Sequence, residues 1–114
     1  MPNNNSSKAI KEDEKRIQNA KNTLKQKKHA LHSLSVLFSL LGEEGRLQII
    51  YLLLKHKKLS LTLLSDILNI KAALIAKDLK KLTEAGLINN KRESLILYYF
   101  IKPSFLKQIK MLLL

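Results

Sequence analysis

The chain has 114 residues, 46% of them hydrophobic, with 21 Lys and Arg against nine Asp and Glu, a formal net charge of +12. That length suits one domain with a modest core plus an arm, and the basic excess points to a polyanionic partner: DNA, RNA or an anionic membrane surface. Cysteine is absent, which excludes disulfides, thiolate metal sites and cysteine nucleophiles within these residues and fits a reducing cytoplasm.

Residues 1–7, Met1-Pro2-Asn3-Asn4-Asn5-Ser6-Ser7, are polar, lack the apolar run of a secretory signal and read as a disordered tip. Residues 8–35 are charged, free of Gly and Pro, and read as a basic helical arm. Ile10, Ile17, Leu24, Leu31 and Phe38 recur every seven residues, one seam of a heptad. The companion seam holds Asp13, Ala20 and Lys27 before it turns apolar at Leu34 and Leu41, so the helix is expected to rest on something along its C-terminal half. A narrow seam without an aromatic residue before Phe38 suits a partner subunit better than a lipid surface.

A domain is expected over residues 36–114. Leu34, Leu37, Phe38 and Leu41 share a helical face, and Gly42-Glu43-Glu44-Gly45 breaks that helix. Leu47, Ile50, Tyr51 and Leu54 form the next amphipathic run, ending in the basic link Lys55-His56-Lys57-Lys58. Ser60 reads as the N-cap of a short helix carrying Leu63, Leu64, Ile67 and Leu68. A turn at Asn69-Ile70 precedes a helix from about Ala72 to Glu84 with Ile75, Leu79 and Leu82 inward, and Gly86 closes it. Leu87 to Lys91 and Leu95 to Ile101 read as two strands joined by Arg92-Glu93-Ser94. In the second strand Leu97 and Tyr99 are expected to face the core, with Ile96, Tyr98 and Phe100 on the other side. Pro103 can open a last helix reaching Leu114. The fold class is mainly α with a small β-hairpin, α+β.

The stretch Leu61 to Ile88 has the spacing of a helix-turn-helix, in which one helix braces another against a DNA groove, followed by a two-stranded wing. Three segments resemble the ArsR/SmtB winged-helix regulators: Leu41-Gly42-Glu43-Glu44-Gly45-Arg46-Leu47-Gln48-Ile49-Ile50 at the start of the second helix, Leu79-Lys80-Lys81-Leu82-Thr83-Glu84-Ala85-Gly86-Leu87-Ile88 at the end of the recognition helix, and Leu97-Tyr98-Tyr99 on the second wing strand. The resemblance covers about residues 34–114. It implies a winged helix-turn-helix with a long N-terminal helix and a C-terminal dimerisation helix. It also implies a cytoplasmic, nucleoid-associated homodimer that represses transcription.

The chain departs from that pattern where DNA would be read. Small polar residues usually open the recognition helix, but here it opens with Lys71-Ala72-Ala73-Leu74. Alanine has no side-chain donor or acceptor, and Leu74 can touch only a thymine methyl. The expected DNA contacts are Lys71, Ala72, Ala73, Leu74, Lys77, Lys80, Lys91 and Arg92, the cations holding phosphates. Asp78 would be repelled by nearby phosphate and reads instead as pairing with Lys77 or Lys81 or accepting from a cytosine amino group. The alternative is an adaptor that has lost DNA reading and offers its apolar surface to a protein. A two-fold dimer is expected through Leu31, Leu34, Phe38, Phe105, Ile109, Leu112 and Leu113.

The metal-sensing ligands of the family are missing. His29 and His32 share a helical face but have no matching carboxylates or further histidines, so no metal and no cofactor are expected. Catalysis is not expected either: there is no phosphate-cradling glycine loop and no nucleophile–base pair. No apolar stretch is long enough to span a bilayer, so no membrane partner is expected.

Overall fold

The computed structural model describes the backbone of residues 4–113 and the side chains of 7–111 and 113. In chain order the elements are α1 (Asn4–Leu41), α2 (Glu44–His56), β1 (Lys58–Ser60), α3 (Leu61–Leu68), α4 (Ala72–Glu84), β2 (Ile88–Glu93), β3 (Ile96–Ile101) and α5 (Pro103–Leu113). They divide into two units, one ending at Phe38 and the other running from Ser39.

The N-terminal unit is helix alone. Straight-chain residues and alanines fill it, and no Gly or Pro interrupts it between residues 8 and 41. Local bonds decorate it: Thr23 Oγ1 donates to the Asn19 carbonyl at 2.9 Å, and Arg16 pairs with Asp13 at 3.7 Å. The heptad residues Ile10, Ile17, Leu24, Leu31 and Phe38 are all exposed. Asn4–Ser7 are helical where a disordered tip was expected, and residues 1–3 lie outside the described residues.

The C-terminal unit holds the core. On α2, Ile49, Ile50, Leu53 and Leu54 are buried. Tyr51, expected inward, is exposed, because the buried stripe is centred one residue earlier than the sequence reading placed it. On α3 only Leu64 is buried; Leu63 and Ile67 are exposed. An eight-residue helix has just over two turns, and only one of its sides meets α4. On α4, Ile75, Leu79 and Leu82 are buried, as the spacing predicts.

Both helices of the α3–α4 pair end on a left-handed residue. Asn69 has φ 54° and ψ 46°, Ile70 N–H donates to the Ser65 carbonyl at 3.2 Å, and Ser65 Oγ donates back to the Ile70 carbonyl at 2.6 Å. Gly86 has φ +78°, with Gly86 N–H bonded to the Thr83 carbonyl and Leu87 N–H to the Leu82 carbonyl. That is the Schellman arrangement, which satisfies carbonyls the helix leaves orphaned. A Cβ at Gly86 would meet nothing within 4 Å. Gly86→Ala should therefore cost only the left-handed backbone penalty, about 1 kcal/mol. A urea midpoint lowered with an unchanged slope checks this.

The sheet is antiparallel in the order β1-β3-β2. Strand β1 was not anticipated. It is three residues long inside a lysine-rich link, too short for an alternation signal, and exists only because β3 pairs with it: Lys58 with Phe100, Leu59 with Tyr99, Ser60 with Tyr98. The hairpin turn is Ser94-Leu95, one step later than expected, since Glu93 pairs with Ile96 and Ser94 takes φ 57°. Directly paired residues share a sheet face. Leu59, Tyr99, Leu97, Ile88 and Ile101 therefore lie on the core side, and Ile96, Tyr98 and Phe100 on the other.

Lys58 Nζ sits 4.9 Å from the Tyr98 ring centroid and 2.6 Å from Glu93 Oε2, clasping both outer strands across β3. The Lys58 hydrogen bond holds the Glu93 carboxyl below its ordinary 4.5, helped by the charges of Lys58 and Lys91. A depressed carboxylate contributes stability above its unfolded value and loses it as pH falls through the folded one. The pair is exposed, so the effect is local and small. Protection factors of amides at the hairpin end, with the intrinsic pH dependence of exchange divided out, should be smaller in acid than at neutrality, and Glu93→Gln should flatten that difference.

Helix α5 starts at Pro103, whose missing N–H costs nothing there. Phe105 and Ile109 are buried inside the C-terminal unit. This corrects the expectation that they face a second copy: their helical face is used for the chain's own core. Leu106 and Leu113 are half-buried and Met111 is exposed; the Leu112 side chain and Leu114 lie outside the described residues. Among the described residues, no helix is long and apolar enough to cross a membrane.

Candidate nucleic-acid interface

Helix α3, the turn at Asn69-Ile70-Lys71 and α4 form a helix-turn-helix, and β2 with β3 forms the wing. Helix α4 rotates 100° per residue, so burying Ile75, Leu79 and Leu82 forces Ala73, Lys77, Lys80 and Glu84 onto the opposite side. Leu74 and Lys81 flank that stripe. Lys71 caps the helix without a side-chain bond, and Ala72 opens it. Every one of Lys71, Ala72, Ala73, Leu74, Lys77 and Lys80 is exposed, Leu74 by 54%. Lys80 Nζ lies 4.0 Å from Glu84 Oε1, a surface pair one turn apart.

The wing cations are also exposed but lie on opposite faces. Lys91 stands beside Tyr98, whereas Arg92 stands beside Leu97 and places its Nη1 3.5 Å from the Leu95 carbonyl. Leu95, at the hairpin turn, is 91% exposed. A concavity of about 570 Å³ separates the start of α3 from the wing, lined by Leu61, Leu63, Leu95, Ile96 and Tyr98 among others.

Asp78 is not where the sequence reading put it. It neither faces outward nor pairs with Lys77 or Lys81. Arg46 Nη1 lies 3.3 Å from Asp78 Oδ1, and Arg46 Nε donates to the Leu40 carbonyl at 2.6 Å. The two side chains are 13% and 22% exposed. One guanidinium thus ties the end of α1, the start of α2 and the middle of α4 together. Gly45 lies beside this pair, where a Cβ would stand in ordinary contact with Asp78 Oδ2 at 3.4 Å. Arg46 and Asp78 are 32 residues apart, and no local pattern links them. The consequence for the interface is electrostatic: the acid in the middle of α4 is neutralised on its inner side, so the outer side carries Lys77 and Lys80 with Glu84 at its far end.

His29 and His32 are exposed on α1. Among the described residues, no group of three or more His, Asp or Glu side chains is arranged to hold a metal ion.

Residues 43–90, from the cap of α2 to the first wing strand, match the family described as bacterial regulatory protein, arsR family. The segment is similar to the arsR family over these residues. The arsR match spans the whole helix-turn-helix. Among curated relatives, the cadmium resistance transcriptional regulatory protein CadC of Listeria innocua serovar 6a is 29% identical over 70 residues, covering 61% of this chain and 59% of that protein. The match thus spans little more than half the length of that relative. Among solved structures, reduced HlyU from Vibrio cholerae superposes with a TM-score of 0.68 at 28% identity, over 79% of this chain and 93% of that one. The transcriptional repressor PagR of Bacillus anthracis gives 0.63 at 28% identity, over 74% and 97%. CadC is described as a transcriptional regulatory protein and PagR as a transcriptional repressor. The elements α3, α4, β2 and β3 thus make a winged helix-turn-helix.

Proposed function

We propose that the chain is a homodimeric, cytoplasmic transcriptional regulator, a repressor, that holds double-stranded DNA mainly through phosphate contacts. The observation that carries this reading is the outer side of α4, where Lys77 and Lys80 are exposed while Asp78 is turned inward onto Arg46. Lys71 at the head of α4, and Lys91 and Arg92 on the wing, add further cations. Ala72, Ala73 and Leu74 would let the helix approach a groove closely and read little more than thymine methyls. PagR is described as a transcriptional repressor, which supports the direction of regulation.

Phosphate contacts release counterions, so affinity should fall steeply with salt. Titrating a mixed-sequence duplex by anisotropy at several salt concentrations tests the reading. Binding that is absent even at low salt would overturn it. The adaptor reading draws on the apolar concavity beside the wing, and would be favoured by that result.

The dimer is supported by exposed apolar side chains. Leu31, Leu34 and Phe38 on α1, and Met111 on α5, are unburied; Phe105 and Ile109 have no part in it. We expect a dimeric mass by light scattering at micromolar concentration, and a shift toward monomer in Leu31→Lys/Phe38→Lys. A monomeric parent protein would refute the dimer without touching the DNA reading.

CadC is described as a cadmium resistance regulator. This chain has no cysteine, so no thiolate of its own is available to a soft metal. The proposed regulator works without metal or cofactor.

A further inference from the structure

We propose that the exposed ridge Lys21, Lys25, Lys28 and His32 on α1 is a second phosphate-binding surface, lying along the backbone of a DNA duplex. It rests on the reading of the chain as a duplex-binding protein and adds a cationic surface outside the matched family segment, residues 43–90.

The four residues follow one another at intervals of four, three and four, so they fall on one side of the helix. All are exposed. The sequence withholds carboxylates from them. The three acids of the N-terminal unit are confined to Glu12, Asp13 and Glu14, and no Asp or Glu occurs between Lys15 and Gly42. Among the described residues of this unit, the ion pair is Arg16 with Asp13, which leaves the ridge out. Lysines three and four apart repel one another and weaken a helix. An external polyanion that neutralises them relieves that cost. From Lys21 to Lys28 the ridge runs about 10 Å at 1.5 Å per residue, a length over which a duplex presents several phosphates on each strand.

The chemistry of the neighbouring residues selects among polyanions. A second copy cannot cover the ridge, since two such rows would repel. A lipid surface is disfavoured: the adjoining seam of Ile17, Leu24 and Leu31 is one residue wide, and no aromatic residue precedes Phe38. A duplex backbone needs only the row of cations.

The test uses the full chain and its variant Lys21→Gln/Lys25→Gln/Lys28→Gln. Gln has nearly the helix propensity of Lys, so circular dichroism should be unchanged. On a mixed-sequence duplex, the slope of log affinity against log salt should become shallower by about 2 to 3, roughly 0.9 per phosphate released. Lys77→Gln/Lys80→Gln should lower the slope further when combined with it. If the parent chain binds duplex and the triple variant keeps the full slope, the ridge is not a phosphate surface, though the regulator reading stands. If the parent binds no duplex at low salt, the regulator reading itself fails and the ridge falls with it. Phosphatidylglycerol vesicles supply the other arm. Parent binding to vesicles that the triple variant loses, with the duplex slope unchanged, would overturn the proposal in favour of a lipid surface.

Discussion

Asp78→Ala should destabilise the protein by about 2–3 kcal/mol, and should not tighten its grip on DNA. The carboxylate sits on the inner side of α4, 22% exposed, with Arg46 at 3.3 Å. Removing it leaves a largely buried guanidinium with the Leu40 carbonyl but no counter-charge. Stranding one partner of a buried pair costs more than the pair itself contributes, and the partial exposure here places the loss below the fully buried range. For a small domain that lowers the melting temperature by roughly 10–15 °C. Arg46→Ala should cost at least as much, because it also frees the Leu40 carbonyl that the guanidinium caps. A double-mutant cycle should show strong coupling, with the double variant less destabilised than the sum of the singles. An unchanged melting temperature in Asp78→Ala, together with tighter duplex binding, would mean that Asp78 faces the DNA after all.

The second large effect is on binding. Lys77→Ala/Lys80→Ala should weaken duplex binding on the order of 100-fold, taking about 1.5 kcal/mol for each charge-assisted contact. The salt slope should become shallower by about 2. Loss should be nearly uniform across sequences, because phosphates carry no base identity. Both side chains are exposed, so stability should hardly change. Leu74→Ala is the control. Its 54% exposed side chain can meet a thymine methyl, so its smaller loss should be confined to thymine-containing steps. Competition between matched duplexes at two salt concentrations separates the two outcomes. Duplex binding that survives the double lysine change would remove α4 from the interface.

Local chemistry determined a good deal of this. The inward row Ile75, Leu79 and Leu82 on α4, the Ser60 cap, the turn at Asn69 and the left-handed Gly86 are each decided within a few residues. Helical period, capping and the missing Cβ of glycine act over that range, so the α3–α4 pair and its outward lysines were legible in the sequence. Strand β1 was not, because three residues in a lysine-rich link become a strand only when β3 arrives from 40 residues away to take their hydrogen bonds. The direction of Asp78 and the burial of Phe105 and Ile109 were likewise set by tertiary structure. An acid among lysines can pair with any cation in reach, and the apolar side of an end helix can meet its own core or a second copy. Which happens depends on where the rest of the chain places Arg46 and the core, and periodicity along one element carries no information about that.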